Sequence, residues 1–388
     1  MIESIKAVFK RELKQMFSRP IYLFGSVFTL VFCSVFFLSL LNEGLPMKLP
    51  MGLVDNDQSS ISRRFYRELN SLQGVYVAKY YANHQEARMA MQTGEIFGFI
   101  EVPQGMYSDI LSNRRPKIAI YSNQAYMIPG TLVYKNFLTM GNLASGAVQR
   151  EVLRAKGYTD ESIMGMIQPI LIDSHYIGNP WSHYGIYLIN VILPGILQLC
   201  VLLMTIFSIG YELKVKTSRE WLAAGRNSMT CAMIGKLLPY TIIFIIMGLG
   251  LNVLLYKIMN FPLAGSILMM FSASVLLVLA AQAVGIFMIG LFPVLRDGVS
   301  FSAIYGILSI SLAGMTFPLE SMPAPVFGVG QVFPLRHYYL IYVHEGMFNG
   351  GFASCWGQYV ILLCFLLVPL TVIKRLKNAL INQNYPVK

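Results

Sequence analysis

The sequence predicts an α-helical polytopic membrane protein of six transmembrane helices, with an α/β domain inserted after the first. Three observations carry that prediction. The 388 residues are 55% hydrophobic and only 13% charged, about half the charged fraction of a soluble domain, and mean hydropathy is +0.56. Apolar stretches of bilayer-spanning length recur, one of them free of charge from Ile258 to Leu295. Residues 42–180 break the pattern with short alternating segments whose acidic and basic residues nearly balance.

Residues 1–19 place Ile2, Ile5, Phe9, Leu13 and Met16 at spacings of three and four, with Lys6, Lys10 and Lys14 as a separate basic stripe. That pattern predicts an amphipathic helix lying on an anionic leaflet. Arg19-Pro20 turns the chain, and the first span, residues 20–41, follows without a charge. Its apolar core is too long for a cleavable signal and no small-residue cleavage site follows, so it serves as an anchor with the N-terminus inside.

Residues 42–180 read as an extracytoplasmic α/β domain large enough to hold its own core. Strands are predicted at Leu49–Val54, Val75–Tyr81, Ile96–Val102 and Lys117–Ser122. Helices are predicted from Ser59/Ser60 to Leu69 and over His84–Met91, Met106–Leu111, Ile128–Lys156 and Asp160–Ile170. The long one carries Leu132, Phe137, Met140, Leu143, Val148 and Val152 as its inward stripe.

The remainder, 181–388, holds the other five spans, near Tyr184–Gly210, Ala232–Tyr256, Leu263–Phe292, Val299–Phe317 and Gly357–Ile373. An even span number returns the C-terminus to the inside, beside Lys374, Arg375 and Lys377. Two pieces are irregular. Residues 317–351 are too proline-rich for a span and too apolar for a free loop, which predicts two short re-entrant or interfacial helices at the outer surface. The inner loop 211–228 interleaves Glu212, Lys214, Lys216, Arg219, Glu220 and Arg226 with Leu213, Val215, Trp221, Leu222 and Ala223. Thr217 or Ser218 can cap a short helix there, with Glu220 in its first turn. One reading is a solvated loop whose charges fix topology; the other is an amphipathic helix on which a soluble partner packs.

The net charge of +11 and pI of about 9.3 do not require nucleic acid as a partner, because the basic residues cluster at span ends in a positive-inside pattern. Cys33, Cys200, Cys231, Cys355 and Cys364 form no CxxC and no ligand spacing with histidine, which supports neither a disulfide framework nor a zinc site. The sequence contains no GxxxxGK[ST], HExxH or GxSxG, so no catalytic, cofactor-binding or metal-binding set is expected. His337 and His344 share a Tyr-rich stretch without a further ligand at useful spacing. The polar residues read inside the spans are amides and hydroxyls: Asn190, Gln198, Asn252, Gln282, Ser272, Ser274 and Ser309. Helix–helix hydrogen bonding accounts for them; Gln198, Asn252 and Gln282, with Tyr338, are the candidates for a substrate pathway. Without a buried carboxylate to carry protons, the driving energy is expected from a partner.

Four stretches carry a resemblance. Val54-Asp55-Asn56-Asp57 with Ser59 opens the inserted domain, and Gly94-Glu95-Ile96-Phe97-Gly98-Phe99-Ile100 followed by Val102-Pro103 forms its centre. Glu212 precedes Lys216-Thr217-Ser218-Arg219-Glu220-Trp221-Leu222, and Phe317-Pro318-Leu319-Glu320-Ser321-Met322-Pro323 is followed by Pro334-Leu335 and Tyr338. In this order, across essentially the full chain, they resemble the permease subunits of ABC type-2 exporters, in the bacterial branch with a large extracytoplasmic domain. Lys216 departs from the pattern, standing where that family's loop has Gly, and no proline follows Arg226.

The resemblance implies a half-transporter of the bacterial inner membrane with both termini cytoplasmic. A second permease copy or a paralogue would complete a dimer. Cytosolic ABC ATPase subunits would bind the ATP and Mg, this chain holding no cofactor and no ATPase site of its own. Glu212, Lys216, Thr217, Arg219, Glu220, Trp221 and Leu222 would form the ATPase-coupling set, and a hydrophobic or amphiphilic compound would be exported. Similar proteins often work with a periplasmic adaptor and an outer-membrane channel. The competing expectation is a membrane-anchored receptor or scaffold whose domain at 42–180 binds a ligand. Six spans and a structured inner loop exceed what an anchor requires.

Overall fold

The computed structural model describes residues 1–112, 114–383 and 385, and the chain divides into two compact units, Met1–Gly44 with His175–Lys388 and Leu45–Ser174. The first unit is helical. Helix α1 (Ile2–Ser18) ends at Arg19, whose extended backbone turns the chain into α2 (Pro20–Leu40). The latter winds as a π-helix over Phe24–Phe28. After the inserted unit come α8 (Tyr184–Lys214), the short α9 (Ser218–Ala224), α10 (Met229–Ile258) and α11 (Ile267–Leu291). Helix α12 (Leu295–Ser311) precedes the irregular segment, in which α13 (Ala324–Gly330) and α14 (Pro334–Ile341) are two short helices. A π-turn at Tyr342–Met347 extends the second of them. Helix α15 (Phe352–Phe365) carries a 3-10 extension through Thr371, and α16 (Ile373–Asn382) ends the described helices.

Among the described residues, five helices are long and apolar enough to cross a bilayer: α2, α8, α10, α11 and α15 with its extension. The expected span at Val299–Phe317 is instead α12, which begins earlier and stops at Ser311 after 17 residues, about 26 Å at 1.5 Å per residue. The chain leaves the helix there because Gly314 turns it at φ +95, a conformation that glycine adopts without steric cost.

Small residues set the packing of this unit. A Cβ on Gly210 would meet Leu295 at 2.9 Å, one on Gly195 would meet Ile310 at 2.6 Å, and one on Gly290 would meet Val372 at 2.5 Å. Thus α8 and α12 lie side by side along their lengths, and the ends of α8, α11 and α15 nearest Gly210, Gly290 and Val372 gather at one side. A large apolar core fills the spans, and a second, built on Ile206, Leu213, Trp221, Leu222, Leu376 and Leu380, closes that side.

The second unit is α/β. Strands β1 (Leu49–Asp55), β2 (Val75–Tyr80), β3 (Gly98–Val102) and β4 (Ala119–Ser122) form a sheet in the order β2-β1-β3-β4, with β1 parallel to β2 and β3, and β4 antiparallel to β3. Helices α3 (Ser60–Asn70) and α6 (Met127–Ala155) cover one face around Met51, Leu53, Phe65, Ile100 and Phe137. Helix α4 (His84–Gln92) covers the other around Val54, Tyr81, Ala87 and Phe99. Ser59 and Asn83 accept the Ser62 and Glu86 amides and so cap α3 and α4. Helix α5 (Met106–Leu111) joins β3 to β4.

The inward stripe of α6 differs from the expected one. Leu143 is 61% exposed, and the buried face is Gly130, Val133, Phe137 and Met140. Only the first half of this helix lies on the sheet. Its second half pairs with α7 (Asp160–Ile167), where Arg154 Nη2 meets Asp160 Oδ2 at 2.8 Å.

Candidate functional site at the inner loop

Helix α8 ends at Lys214, and the loop reverses through Lys216, which sits in left-handed backbone at φ +61. That is the region glycine favours. Residues Ser218–Ala224 then form α9, and Arg226 and Asn227, also left-handed, lead into α10. Ser228 accepts the Cys231 amide at its start. The expected cap of α9 does not form. Thr217 occupies the cap position without a side-chain cap bond, because its hydroxyl donates to Glu212 Oε2. Ser218 donates instead to Leu380 O at 2.7 Å.

Beneath α9 lies a closed set of charges. Arg11 of α1 grips Glu212 with both terminal nitrogens, Nη1 to Oε1 at 2.6 Å and Nη2 to Oε2 at 3.0 Å. Lys236 Nζ donates to Glu212 Oε1 at 2.9 Å and to Glu12 Oε2 at 2.6 Å. Tyr240 completes it by donating to Glu12 Oε1 at 2.8 Å. The Lys236 ammonium also lies 5.0 Å from the centre of the Trp221 ring, whose Nε1–H donates to Ala232 O. Glu12, Glu212 and Lys236 are wholly buried. Two carboxylates face two cations, so the cluster is neutral, and every charged group is hydrogen-bonded, as burial demands. Burial works against the charged form of Arg11, but hydrogen bonding to Glu212 and its charge outweigh it and raise the pKa.

This cluster corrects two expectations. The span interiors do not hold only amides and hydroxyls, because Lys236 stands inside α10. Nor are the spans without a buried carboxylate, because Glu212 lies near the end of α8. On α1 the buried residues are Ser4, Val8, Glu12 and Met16, while Ile2 is exposed and Ile5, Phe9 and Leu13 are half-buried. The helix turns its 4-8-12-16 face to α10 because Gly235 permits close approach. A Cβ there would lie 2.7 Å from Val8 and 2.8 Å from Ile5 O.

The seven loop residues separate into two groups. Glu212, Trp221 and Leu222 are buried and Thr217 is half-buried against Glu212, so these hold α9 in place. Lys216, Arg219 and Glu220 are exposed and form the face a partner could reach. The C-terminal helix, read in the sequence only as a topology signal, also belongs to the site. Leu376 and Leu380 of α16 pack beside Trp221 and Leu222. Arg219 Nε donates to Ile381 O at 2.9 Å, and Gln383 Nε2 to Lys216 O at 2.8 Å. The spacing of Ile373, Leu376 and Leu380 was the available signal for this packing.

The pathway candidates join separate helix pairs. Gln198 Nε2 donates to Ser309 at 2.8 Å, Asn252 Nδ2 to Ser274 at 2.6 Å, and Gln282 Oε1 accepts from Thr241 at 2.8 Å. Tyr338 is buried in the span core. Among the described residues no group of His, Cys, Asp and Glu is arranged to hold a metal.

In comparison with known proteins, the family described as ABC-2 family transporter protein matches residues 20–373. No curated protein matches the chain.

Proposed function

The chain belongs to the ABC-2 family of transporter proteins, and on that premise we propose that it is the permease of an ATP-driven exporter. A separate cytosolic ATPase binds ATP and Mg and energises it, and the chain has no ATPase activity of its own. In this reading the loop side of the spans faces the cytoplasm of a bacterium, with both termini there, in the inner membrane. A second permease copy or a paralogue completes the pathway, and a hydrophobic or amphiphilic compound is the cargo. Leu45–Ser174 lies outside the cytoplasm, where an adaptor leading to an outer-membrane channel can meet it.

One observation carries the reading. The exposed face of α9, with Lys216, Arg219 and Glu220, stands over a buried ion cluster that joins α1, α8 and α10. Helix α9 meets that cluster through the Thr217 hydroxyl on Glu212 and the Trp221 ring 5.0 Å from the Lys236 ammonium. A push on that face is not absorbed by the loop, because moving α9 alone would take the Thr217 hydroxyl from Glu212, a hydrogen bond to a charged group worth about 1.5–3 kcal/mol. It would also pull the buried Trp221 ring from its packing beside Lys236. The displacement passes to the spans instead. A topology-fixing loop has no need of such a foundation.

The test is a mild-detergent pull-down of the tagged chain expressed with its chromosomal neighbours, with bound chains identified by mass spectrometry. A stoichiometric Walker-motif ATPase supports the reading. Absence of any ATPase, under conditions that preserve the permease assembly, sinks it.

A further inference from the structure

The irregular segment between α12 and α15 reaches only partway down the spans. Leu335 at its inner turn packs against the Cβ position of Gly195, near the middle of α8, and Gln331 and Val332 form the turn between α13 and α14. Below that turn lies a cavity of about 480 Å³, bounded by Val284, Phe287 and Met288 of α11 and by Cys364, Phe365 and Val368 of α15 and its extension. Tyr305 of α12 stands at its upper end with Gln331 and Val332. The volume falls within the range of small-molecule sites.

The side-chain donors at the ceiling are already engaged. The Tyr305 hydroxyl donates to Val332 O, the Gln331 amide donates to Phe327 O, and His337 Nε2 donates to Gln331 O at 2.9 Å. A water molecule needs two to four polar partners to occupy a cavity, and an apolar cavity without them stays dry. The helices bounding this one are apolar enough to lie in the bilayer, where the material at hand is hydrocarbon. The height of the cavity agrees: Gly285, one residue beyond Val284, packs on Thr205, and Gly298 packs on Ile206. It therefore spans the half of the membrane on the inner-loop side.

We infer that this cavity is a binding site for a single alkyl chain, which enters from the leaflet on the inner-loop side and ends against the Gln331–Val332 turn. The chain comes either from a membrane phospholipid or from a free amphiphile. Burial of each methylene is worth about 0.8 kcal/mol, and no charged residue borders the cavity, so the site selects chain length and not headgroup. The inference does not depend on which partner drives the chain.

Cys364 supplies the probe. It is an exposed free thiol bordering the cavity, whereas Cys200, Cys231 and Cys355 are buried. The full-length protein carrying Cys33→Ala would be placed in phospholipid nanodiscs. A stearic acid with a nitroxide near its methyl end would be added in one arm, and a phosphatidylcholine with the same labelled chain in the other. Electron paramagnetic resonance would read the immobilised component before and after alkylation of Cys364 with N-ethylmaleimide. Ordinary boundary lipid is insensitive to that step. The inference predicts an immobilised fraction that alkylation removes, and that survives alkylation in a Cys364→Ala protein. Val284→Trp, which fills the cavity, should remove it without any reagent. Loss in the stearic acid arm identifies a free amphiphile as occupant, and loss only in the phospholipid arm identifies a membrane lipid. If neither alkylation of Cys364, verified by mass spectrometry, nor Val284→Trp alters either arm in the folded protein, the site does not hold a chain.

Discussion

Lys236 Nζ and Glu12 Oε2 meet at 2.6 Å with neither side chain exposed, so a lysine within a span is neutralised by a residue of the amphipathic helix that precedes the first span. This pairing ties α1 to the helical bundle.

Replacing Lys236 with Met leaves Glu12 and Glu212 buried with one fewer cation, Arg11 still holding Glu212. The expected loss of stability is about 3–5 kcal/mol, because an unpaired buried charge costs more than the pair contributes. Combining Lys236→Met with Glu12→Gln should recover part of that loss. Thermal unfolding in detergent, followed by monomer recovery on gel filtration, compares the two. Equal melting of both variants with the parent would show that the cluster is solvated.

Lys216 occupies the left-handed region, where a residue with a Cβ is strained. Lys216→Gly should therefore stabilise the protein by up to about 1 kcal/mol, the relief of strain exceeding the entropy of added chain freedom. Lys216→Val should destabilise it. A chemical-denaturation series across Gly, Lys and Val reads the order directly, and the reverse order would refute this backbone geometry.

The C-terminal helix should control the surroundings of Trp221. The other tryptophans, Trp181 and Trp356, are 69% and 58% exposed, so a Trp181→Phe, Trp356→Phe background leaves one buried emitter. Leu376→Ser with Leu380→Ser should shift its emission to the red as α16 leaves α9. An unchanged spectrum in the folded protein would mean that α16 does not cover this site.

Leu45–Ser174 has its own core on both faces of the sheet. Expressed alone, it should unfold in a single cooperative transition, as expected of a domain of this size. Far-ultraviolet circular dichroism during heating checks this; a gradual, sloping loss of signal would contradict it.

Much of this architecture could be read from the residues. The strands fall within a residue or two of their expected limits, because alternation and the turn at Asp55-Asn56-Asp57 mark them. Hydropathy located five helices of spanning length. The charge cluster was hidden for a physical reason: Lys236 finds its partners 224 and 24 residues away, and no local pattern reports such pairing. For the same reason nothing in the sequence singled out Glu12, whose charge is cancelled in the interior. Leu143 looked like core because helical periodicity continues past the point where α6 leaves the sheet.

The measurement that bears most directly on the central claim is a charge reversal at the exposed face of α9, Arg219→Glu with Glu220→Arg, assayed in the reconstituted complex with its ATPase. Both side chains are exposed, and Leu376, Leu380 and the Ser218 hydrogen bond to Leu380 O hold α16 in place without the Arg219 bond to Ile381 O, so the fold and the Trp221 emission should be unchanged. The account predicts that ATP-driven transport is lost, through failure of the ATPase to bind or through hydrolysis that no longer moves cargo. Transport and ATPase binding that both survive the reversal would contradict it.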